Sequence, residues 1–103
     1  TPVQPRPTAR AMLRLLPNRP DPLNPATVIG YELPRAATVT LRVVDATGRT
    51  VTTLLAGRRQ DAGPHEVTWR GTTDTGGRAA SGVYFAHLVA GDQSATEKMV
   101  LLK

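Results

Sequence analysis

Short stretches in which apolar and polar residues alternate make up most of the chain. In residues 38–45, the apolar residues Val39, Leu41 and Val43 alternate with the polar residues Thr40 and Arg42. Successive side chains of a β-strand point to opposite faces, so this period of two predicts a strand with one buried face. This pattern, or a short apolar run between turn residues, predicts seven strands. They are residues 12–17, 27–33, 38–45, 49–56, 65–70, 82–90 and 94–103.

Turn residues separate the predicted strands. Gly48 closes the connection of residues 46–48, where a hairpin turn needs a positive φ. Residues 57–63 and 71–82 are rich in glycine and are predicted to be loops. Links this short leave no room for crossover helices, so the strands are expected to pair antiparallel. The pattern therefore predicts an all-β antiparallel sandwich of about seven strands, with the strand order left open.

The start of the chain differs from the rest. Residues 1–11 contain three prolines and no apolar periodicity, which predicts an extended linker. Residues 12–103 are then the sandwich domain. A linker in this position leads us to expect that more protein precedes Thr1, and that any export signal lies there.

The composition offers little chemistry. The chain has 103 residues, no cysteine and two histidines, His65 and His87, so neither a thiolate site nor a three-histidine zinc site is expected. No nucleophile elbow surrounds Ser81 or Ser94, and no carboxylate pair has glycosidase spacing. We therefore expect a protein that is not an enzyme and uses no cofactor.

Asp74 is the single carboxylate in the predicted loop 71–82. A calcium site needs several oxygen ligands that converge on one ion. We therefore expect Asp74 to accept hydrogen bonds from the backbone of its own turn. A cation bound beside Asp74 is the alternative.

The net charge of +5 does not point to nucleic acid. Arg6, Arg10, Arg14 and Arg19 precede the first acidic residue, and the residues after them carry nine basic and eight acidic side chains. A folded nucleic-acid reader should carry its basic stripe on the folded surface. The chain also lacks an apolar run of the roughly 18 residues that a membrane helix requires. We expect neither a nucleic-acid partner nor a membrane span.

A carbohydrate-binding accessory module is one alternative, because many such modules are β-sandwiches with flat aromatic platforms. The chain has four aromatic residues, Tyr31, Trp69, Tyr84 and Phe85. Tyr31 and Trp69 lie on apolar strand faces and are predicted to fill the core. Tyr84 and Phe85 are neighbours on one strand, so one of the two rings must point outward. A single exposed ring is a poor platform.

Four longer motifs follow one another along the chain. They are LLPNRPDPLNPATVIGYELP at 15–34, VTLRVVDATGRTVTTLL at 39–55, AGPHEVTWRG at 62–71, and SGVYFAHLVAGD with TEKMVLLK at 81–92 and 96–103. In this order and spacing the chain resembles the type A C-terminal sorting domain of the type IX secretion system. It is also similar to the immunoglobulin-like domain of the flagellar hook-capping protein. Both resemblances imply an immunoglobulin-like sandwich.

Ten motif residues are expected to define the fold rather than to bind a ligand, since turns and core depend on them. Compared with the sorting-domain family, the first motif has an insertion and carries Leu23 where an aromatic residue is usual. In the third motif, Arg70 stands where an acidic or amide residue is common. The ten residues are Pro22, Asn24, Pro25, Asp45, Gly48, Arg49, Trp69, Gly71, Gly82 and Tyr84.

The resemblance to the sorting domain implies a role in export. Such a domain directs an attached N-terminal cargo protein through the periplasm to the outer-membrane translocon, and a sorting protease cleaves the preceding linker at the cell surface. If residues 94–103 form an edge strand, their free backbone groups are the expected contact; otherwise the strand only completes the sandwich. The expected recognition residues are Thr96, Lys98, Met99, Val100, Leu101, Leu102 and Lys103.

The hook-capping resemblance supports a second alternative, a structural or adaptor immunoglobulin-like domain. Such a domain would be expected to continue into further protein on both sides. A sorting domain is instead expected to end its gene product, at Lys103. The resemblance to the sorting domain also implies a protein that is secreted or held at the cell surface after passing through the periplasm.

Overall fold

The computed structural model describes residues 12–22 and 26–102, which form strands joined by turns and loops. The predicted all-β fold is confirmed. Within the described residues, no helix has the length and apolar character needed to cross a bilayer. The strands are β1 (Arg14–Leu15), β2 (Thr27–Leu33), β3 (Ala37–Asp45), β4 (Thr50–Gln60), β5 (Gly63–Trp69), β6 (Gly82–Ala90) and β7 (Gln93–Leu101).

The strands form two sheets in which every pair is antiparallel. One sheet has three strands in the order β1-β2-β5, and the other has four in the order β4-β3-β6-β7. The chain passes from one sheet to the other between β2 and β3, between β4 and β5, and again between β5 and β6. Two sheets whose inner faces share one core make a sandwich, and β7 lies at the edge of the four-stranded sheet.

The core follows the alternation seen in the sequence. On β3, Val39, Leu41 and Val43 are fully buried, whereas the intervening Thr40 is half-buried and Arg42 is exposed. Burying a side chain of this size stabilises the fold by about 1.5–3 kcal/mol, so alternation alone fixes which face of each strand turns inward. The other strands contribute in the same way. The remaining buried apolar residues are Ile29, Tyr31, Leu33, Trp69, Ala79, Tyr84, Ala86, Leu88, Ala90, Met99 and Leu101.

Aromatic side chains join the two sheets near one end of the sandwich. Trp69 of β5 meets Tyr84 of β6 edge to face, with ring centroids 5.3 Å apart. The polar group of each side chain also forms a hydrogen bond. Trp69 Nε1 donates to the Thr72 carbonyl at 3.0 Å, and the Tyr84 hydroxyl donates to the Ala80 carbonyl at 2.5 Å. Both aromatic residues therefore act as core members, as predicted for Trp69.

Tyr31 makes a second link between the sheets. Its hydroxyl donates to Gln60 Oε1 on β4, and its ring stacks on His65 of β5 with centroids 5.4 Å apart. Burial raises the pKa of Tyr31, and the Gln60 hydrogen bond opposes that change only in part. The neutral phenol is therefore the form that the fold favours.

The hairpin between β3 and β4 forms where it was predicted. The Asp45 carboxylate accepts hydrogen bonds from the Thr47 hydroxyl at 2.6 Å, the Thr47 N–H at 2.9 Å and the Arg49 N–H at 3.0 Å. Gly48 has a φ of +91°, which L side chains rarely adopt. The bonds from Thr47 first, and then from Arg49, lower the pKa of Asp45.

Two predicted boundaries were wrong. β1 contains only two residues instead of the six of segment 12–17, because the chain beyond Leu15 meets β2 through separate contacts and not a continuous ladder. β4 extends to Gln60, so most of the predicted loop 57–63 is strand. Arg58 and Arg59 pair with β3, and register shifts absorb the irregularity that Gly57, with a φ of +63°, introduces.

The loop between β5 and β6 is held by Asp74 in a way the sequence did not predict. Its carboxylate accepts from the Thr52 hydroxyl at 2.9 Å and the Thr53 N–H at 3.2 Å, both on β4. The Asp74 N–H donates to the Val51 carbonyl at 2.9 Å. The expectation that this carboxylate bonds the backbone of its own turn was therefore wrong: Asp74 fastens the loop to a strand more than twenty residues away.

The segment before β2 depends on a buried asparagine. Asn18 is 4% exposed, and its Nδ2 donates to Thr27 Oγ1 at 3.0 Å and to the Pro20 carbonyl at 3.2 Å. The Thr27 hydroxyl donates to the same carbonyl at 3.0 Å. Asn18 thus fixes the course of residues 18–22 against the start of β2.

Candidate partner-recognition surface

β7 divides the predicted recognition residues into two groups. Met99 and Leu101 point into the core and are 0% and 3% exposed, so their side chains are not accessible to a partner of the folded domain. Thr96 and Lys98 are exposed on the opposite face, and Val100 is half-buried there. The strand therefore completes the sandwich with one face and exposes the other. In the sequence analysis these two roles were alternatives. Leu102 is 48% exposed beyond the strand, and Lys103 lies outside the described residues.

The backbone of β7 alternates in the same way. The Val100 N–H donates to Asp21 Oδ1 at 3.1 Å, and Asp21 lies outside the four-stranded sheet, so the backbone groups of Val100 point away from β6. In an antiparallel strand every second residue points its N–H and C=O to the same side. The groups of Ser94, Thr96 and Lys98 therefore point away from β6 as well. We call these three residues the β7 edge.

The segment of residues 12–22 runs beside β7 but pairs with another strand. The Leu13 N–H reaches Gln93 Oε1 at 2.8 Å at one end of β7, as Asp21 reaches Val100 at the other. Between these contacts the backbone of the segment bonds β2. The Leu16 N–H donates to the Gly30 carbonyl at 2.9 Å, and Arg19 and Val28 exchange bonds of 3.0 and 2.7 Å.

The outward side chains of β3, β6 and β7 form a mixed apolar and cationic surface. Strand pairing places Arg42 beside His87 and His87 beside Thr96, and in the next row Val44 beside Phe85 and Phe85 beside Lys98. His87 Nδ1 lies 3.2 Å from Thr96 Oγ1. Val83 and Val100 pair in the row beyond. We call this surface the outer face of the four-stranded sheet.

Electrostatics separate this surface from the opposite side of the sandwich. The described residues contain two ion pairs, and both belong to the three-stranded side: Arg14 with Glu32 at 3.4 Å and Arg19 with Glu66 at 2.9 Å. Neither Arg42 nor Lys98 forms an ion pair within those residues. The outer face of the four-stranded sheet is thus left positively charged and partly apolar.

None of the predicted fold-defining residues that the structure describes belongs to the β7 edge. Asp45, Gly48 and Arg49 build the β3–β4 hairpin. Gly71, with a φ of +72°, directs the chain so that its carbonyl accepts from the Ala79 N–H at 2.8 Å. Gly82 begins β6, and Trp69 and Tyr84 form the contact between the sheets. Pro22 is exposed after Asp21, whereas Asn24 and Pro25 lie outside the described residues.

The described residues show little that would hold a metal or a sugar. No group of three or more histidine and acidic side chains lies together among them. Tyr31, Trp69 and Tyr84 are buried and Phe85 is half-buried, so the rings present no flat platform. A groove of about 260 Å³ lies at one end of the sandwich, between the β2–β3 and β6–β7 turns. Arg35, Arg59 and Asp92 are among the residues that line it.

Sequence reasoning missed three residues that shape this region. Asn18 sits between two prolines just before a strand, a setting that signals a turn but not its partner, Thr27. Asp21 and Gln93 are polar residues in turn-rich sequence, and nothing local indicates that they bond groups 79 and 80 residues away. Only the packing of β1 beside β7 brings them together.

A two-sheet antiparallel sandwich of seven strands, with a core shared by both sheets, defines an immunoglobulin-like domain. The model of the FlgD Ig-like domain family matches residues 24–94. The chain belongs to that family, which confirms the resemblance to the immunoglobulin-like domain of the hook-capping protein. No significant match was found among curated protein sequences.

Two solved structures from Porphyromonas gingivalis share the fold. Dimeric latent PorU is 20% identical and superposes over 87% of this chain with a TM-score of 0.71. PorZ, an essential bacterial surface component of the type IX secretion system, is 21% identical and superposes over 86% with a TM-score of 0.58. This chain spans only 9% and 11% of the lengths of those two chains. The domain therefore corresponds to a small module of much longer proteins.

Proposed function

We propose that this domain is a sorting module that directs an attached cargo protein through the outer-membrane type IX secretion machinery. The observation that carries the proposal is the fold shared with a module of PorZ, an essential bacterial surface component of that system. The four sequence motifs of the type A sorting domain support the same function. At 21% identity the likeness itself establishes the fold, and the function is our inference from it.

In this proposal the domain is not catalytic. It recognises the translocon through its folded surface, and a sorting protease of the same system cleaves the linker before it. The β7 edge and the outer face of the four-stranded sheet are the recognition surface. The attached cargo is consequently secreted or held at the cell surface after passing through the periplasm.

The family match favours one other function. The FlgD Ig-like family takes its name from the hook-capping protein, in which a domain of this kind is a structural or adaptor element. An adaptor domain would bind neighbouring subunits of an assembly and would carry no export information. The two functions therefore differ in whether the isolated domain is sufficient for export of a foreign protein.

An export assay separates the two functions. Residues 1–103 would be fused behind a signal peptide and a reporter enzyme, and the fusion expressed in a bacterium with a type IX system and in a strain without its translocon. We expect the reporter in the medium or on the surface of the first strain, and in the periplasm of the second. The FlgD Ig-like domain of a hook-capping protein, fused in the same position, is the matched control.

Folded reporter that stays in the periplasm of both strains would contradict the sorting function. Equal export by the control domain would show that the fold alone is sufficient and that no specific recognition takes place. Deleting residues 96–103 would be a poor test, because it removes Met99 and Leu101 from the core. Loss of export would then not distinguish lost recognition from unfolding.

A further inference from the structure

The strand edges of the sandwich are protected to different degrees. β1 is only two residues long, and β4 carries three register shifts along its pairing with β3. β5 contains Pro64, and its Glu66 is held by Arg19. Short strands, bulges and proline all hinder the addition of another strand. β7 has none of these features: all nine of its residues pair with β6 without a register shift.

The free part of β7 has defined ends. Gln93 contacts Leu13 at one end, and the Val100 N–H is occupied by Asp21 at the other. The three residues of the β7 edge lie between these contacts, and their side chains are exposed. Because residues 14–19 direct their backbone bonds to β2, they leave the outward groups of the β7 edge unbonded within the described chain.

Charge indicates which kind of segment fits. Lys98 points outward from the β7 edge, and Phe85 and Val44 extend its row across the sheet. Arg42 adds a second cation without an ion pair in the described residues. A strand added beside β7 would place one side chain next to Lys98 on this face, at the distance where cross-strand pairs interact. An acidic side chain there would pair with a cation that the domain leaves unpaired.

We propose that the β7 edge accepts an extended acidic segment of a partner protein as an additional strand of the four-stranded sheet. The N–H and C=O groups of Ser94, Thr96 and Lys98 would form the new ladder, as in other cases of strand addition. The proposal deepens the proposed function, on which it rests for the identity of the partner as part of the secretion machinery. The binding chemistry itself can be tested on the isolated domain.

The first test is an NMR titration of the ¹⁵N-labelled domain with a synthetic peptide of alternating glutamate and threonine, as long as β7. We expect saturable shifts of the amide signals of Ser94, Thr96 and Lys98, with smaller shifts on β6. A peptide with lysine in place of glutamate is the charge control and should bind at least about tenfold more weakly, because like charges would then face each other. Absence of edge shifts, or equal binding of the two peptides, would overturn the proposal.

Thr96→Pro tests the backbone bonds. The Thr96 N–H points away from β6, so proline removes a donor of the β7 edge without breaking the ladder inside the sheet. Loss of this donor should weaken the glutamate peptide about tenfold. Thr68→Pro is the matched control: Val28 bonds Arg19, so its β5 neighbour Thr68 also points its N–H away from the sheet. Equal binding by the two proline variants would contradict strand addition on β7.

Lys98→Glu tests the charge and leaves the backbone intact. This variant should lose the glutamate peptide and gain the lysine peptide, which mere unfolding cannot produce. Anionic phosphatidylglycerol vesicles form a further arm. Shifts that spread over Arg42 and Phe85 and spare the β7 edge would indicate a charged-surface contact instead, and would also overturn the proposal.

The export assay distinguishes failure of strand addition from failure of the proposed sorting function. If the wild-type fusion is exported and Thr96→Pro abolishes export while Thr68→Pro does not, both hold. If both proline variants are exported like the wild type, strand addition fails and the sorting function remains. If the wild-type fusion is not exported, the sorting function fails, and the peptide titration alone decides whether the β7 edge accepts a strand.

Discussion

The two sheets of this sandwich share one core but treat their outer faces differently. On the three-stranded sheet, the segment before β2 pairs with β2 at the sheet edge, and its side chains reach across the outer face. Leu16 lies over Gly30, where a side chain would meet it at 3.5 Å, and Arg19 pairs with Glu66. On the outer face of the four-stranded sheet, Arg42 and Lys98 have no ion pair in the described residues. Two arginines on the three-stranded side are thus ion-paired within the domain, whereas these two cations are not.

If the proposed function holds, the domain recognises its partner through a strand edge and a sheet face and not through a pocket. Alternation fixes both inner faces equally, because each strand must bury one side. The outer faces carry no such constraint. Arg14 and Arg19 on the three-stranded side are ion-paired, whereas Arg42 on the other sheet has no ion pair in the described residues. Substitutions can test this difference between the two outer faces, from the core contact that holds the sheets together to a single ion pair on the surface.

The largest loss of stability is expected at Trp69, because its ring holds the two sheets together. The two outer faces differ only while the sheets remain packed. Trp69→Ala removes a fully buried ring that meets Tyr84 across the core. We expect the free energy of unfolding to fall by about 3–5 kcal/mol, measured by urea denaturation. Tyr84→Phe, which keeps the ring and loses only its bond to Ala80, should cost about 1 kcal/mol. A smaller loss for Trp69→Ala than for Tyr84→Phe would contradict this account of the core.

The next effect concerns the segment that closes the three-stranded sheet. Asn18→Ala removes two buried hydrogen bonds, to Thr27 and Pro20, and should lower the free energy of unfolding by about 1–2 kcal/mol. Amide hydrogen exchange should quicken at Arg19 and Val28 before it quickens in β6. Arg14→Ala, an exposed change on the same segment, is the control. Equal exchange at all of these amides in both variants would show that Asn18 does not hold the segment.

The sequence predicted the strands and the core because both depend on local alternation. Val39, Leu41 and Val43 are buried as their spacing required, and Asp45 with Gly48 makes a hairpin from residues that are near neighbours. The β4 boundary was missed because Gly57 signals a turn, whereas pairing with β3 continues past it. Tertiary pairing overrides a local breaker when a bulge can absorb the irregular residue.

The recognition surface was only partly predictable, for a related reason. The sequence predicted a strand here, but the inward position of Met99 and Leu101 depends on the register with β6. The extent of the β7 edge that is unbonded within the described residues depends on the contacts of Gln93 with Leu13 and of Val100 with Asp21, from the far end of the chain. A sequence shows which groups can form hydrogen bonds, but it does not show which distant groups the fold brings beside them.

An acid titration tests whether the carboxylate charge of Asp45 stabilises its own turn. Hydrogen bonds from Thr47 and Arg49 lower the pKa of Asp45 in the folded state. The folded protein therefore binds this proton less tightly than the unfolded chain does, and the stabilisation is present above the ordinary carboxyl value of about 3.9 and lost as pH falls through the lower folded value. Asp45→Asn should be less stable than the wild type at neutral pH, and the difference should shrink between about pH 5 and pH 2.

The Thr47 hydroxyl provides the graded control for that titration. Thr47→Ala removes the largest cause of the lowered pKa and leaves the backbone bonds in place. Its difference from the wild type should show the same acid dependence with a smaller amplitude. A difference for Asp45→Asn that stays constant with pH would mean that the carboxylate charge does not contribute to the stability of the hairpin.

The smallest effect tests the charge contrast directly. Arg19 and Glu66 are both more than half exposed, so a double-mutant cycle with alanine should give a coupling of about 0.2–1 kcal/mol that added salt reduces. Arg42→Ala should change the free energy of unfolding by less than about 0.5 kcal/mol, since this cation has no ion pair to lose in the described residues. If Arg42→Ala cost more than Arg19→Ala, the cation on the four-stranded sheet would be needed for folding. The outer face could then not be read as a surface kept free for a partner, because its charge would already be used within the domain.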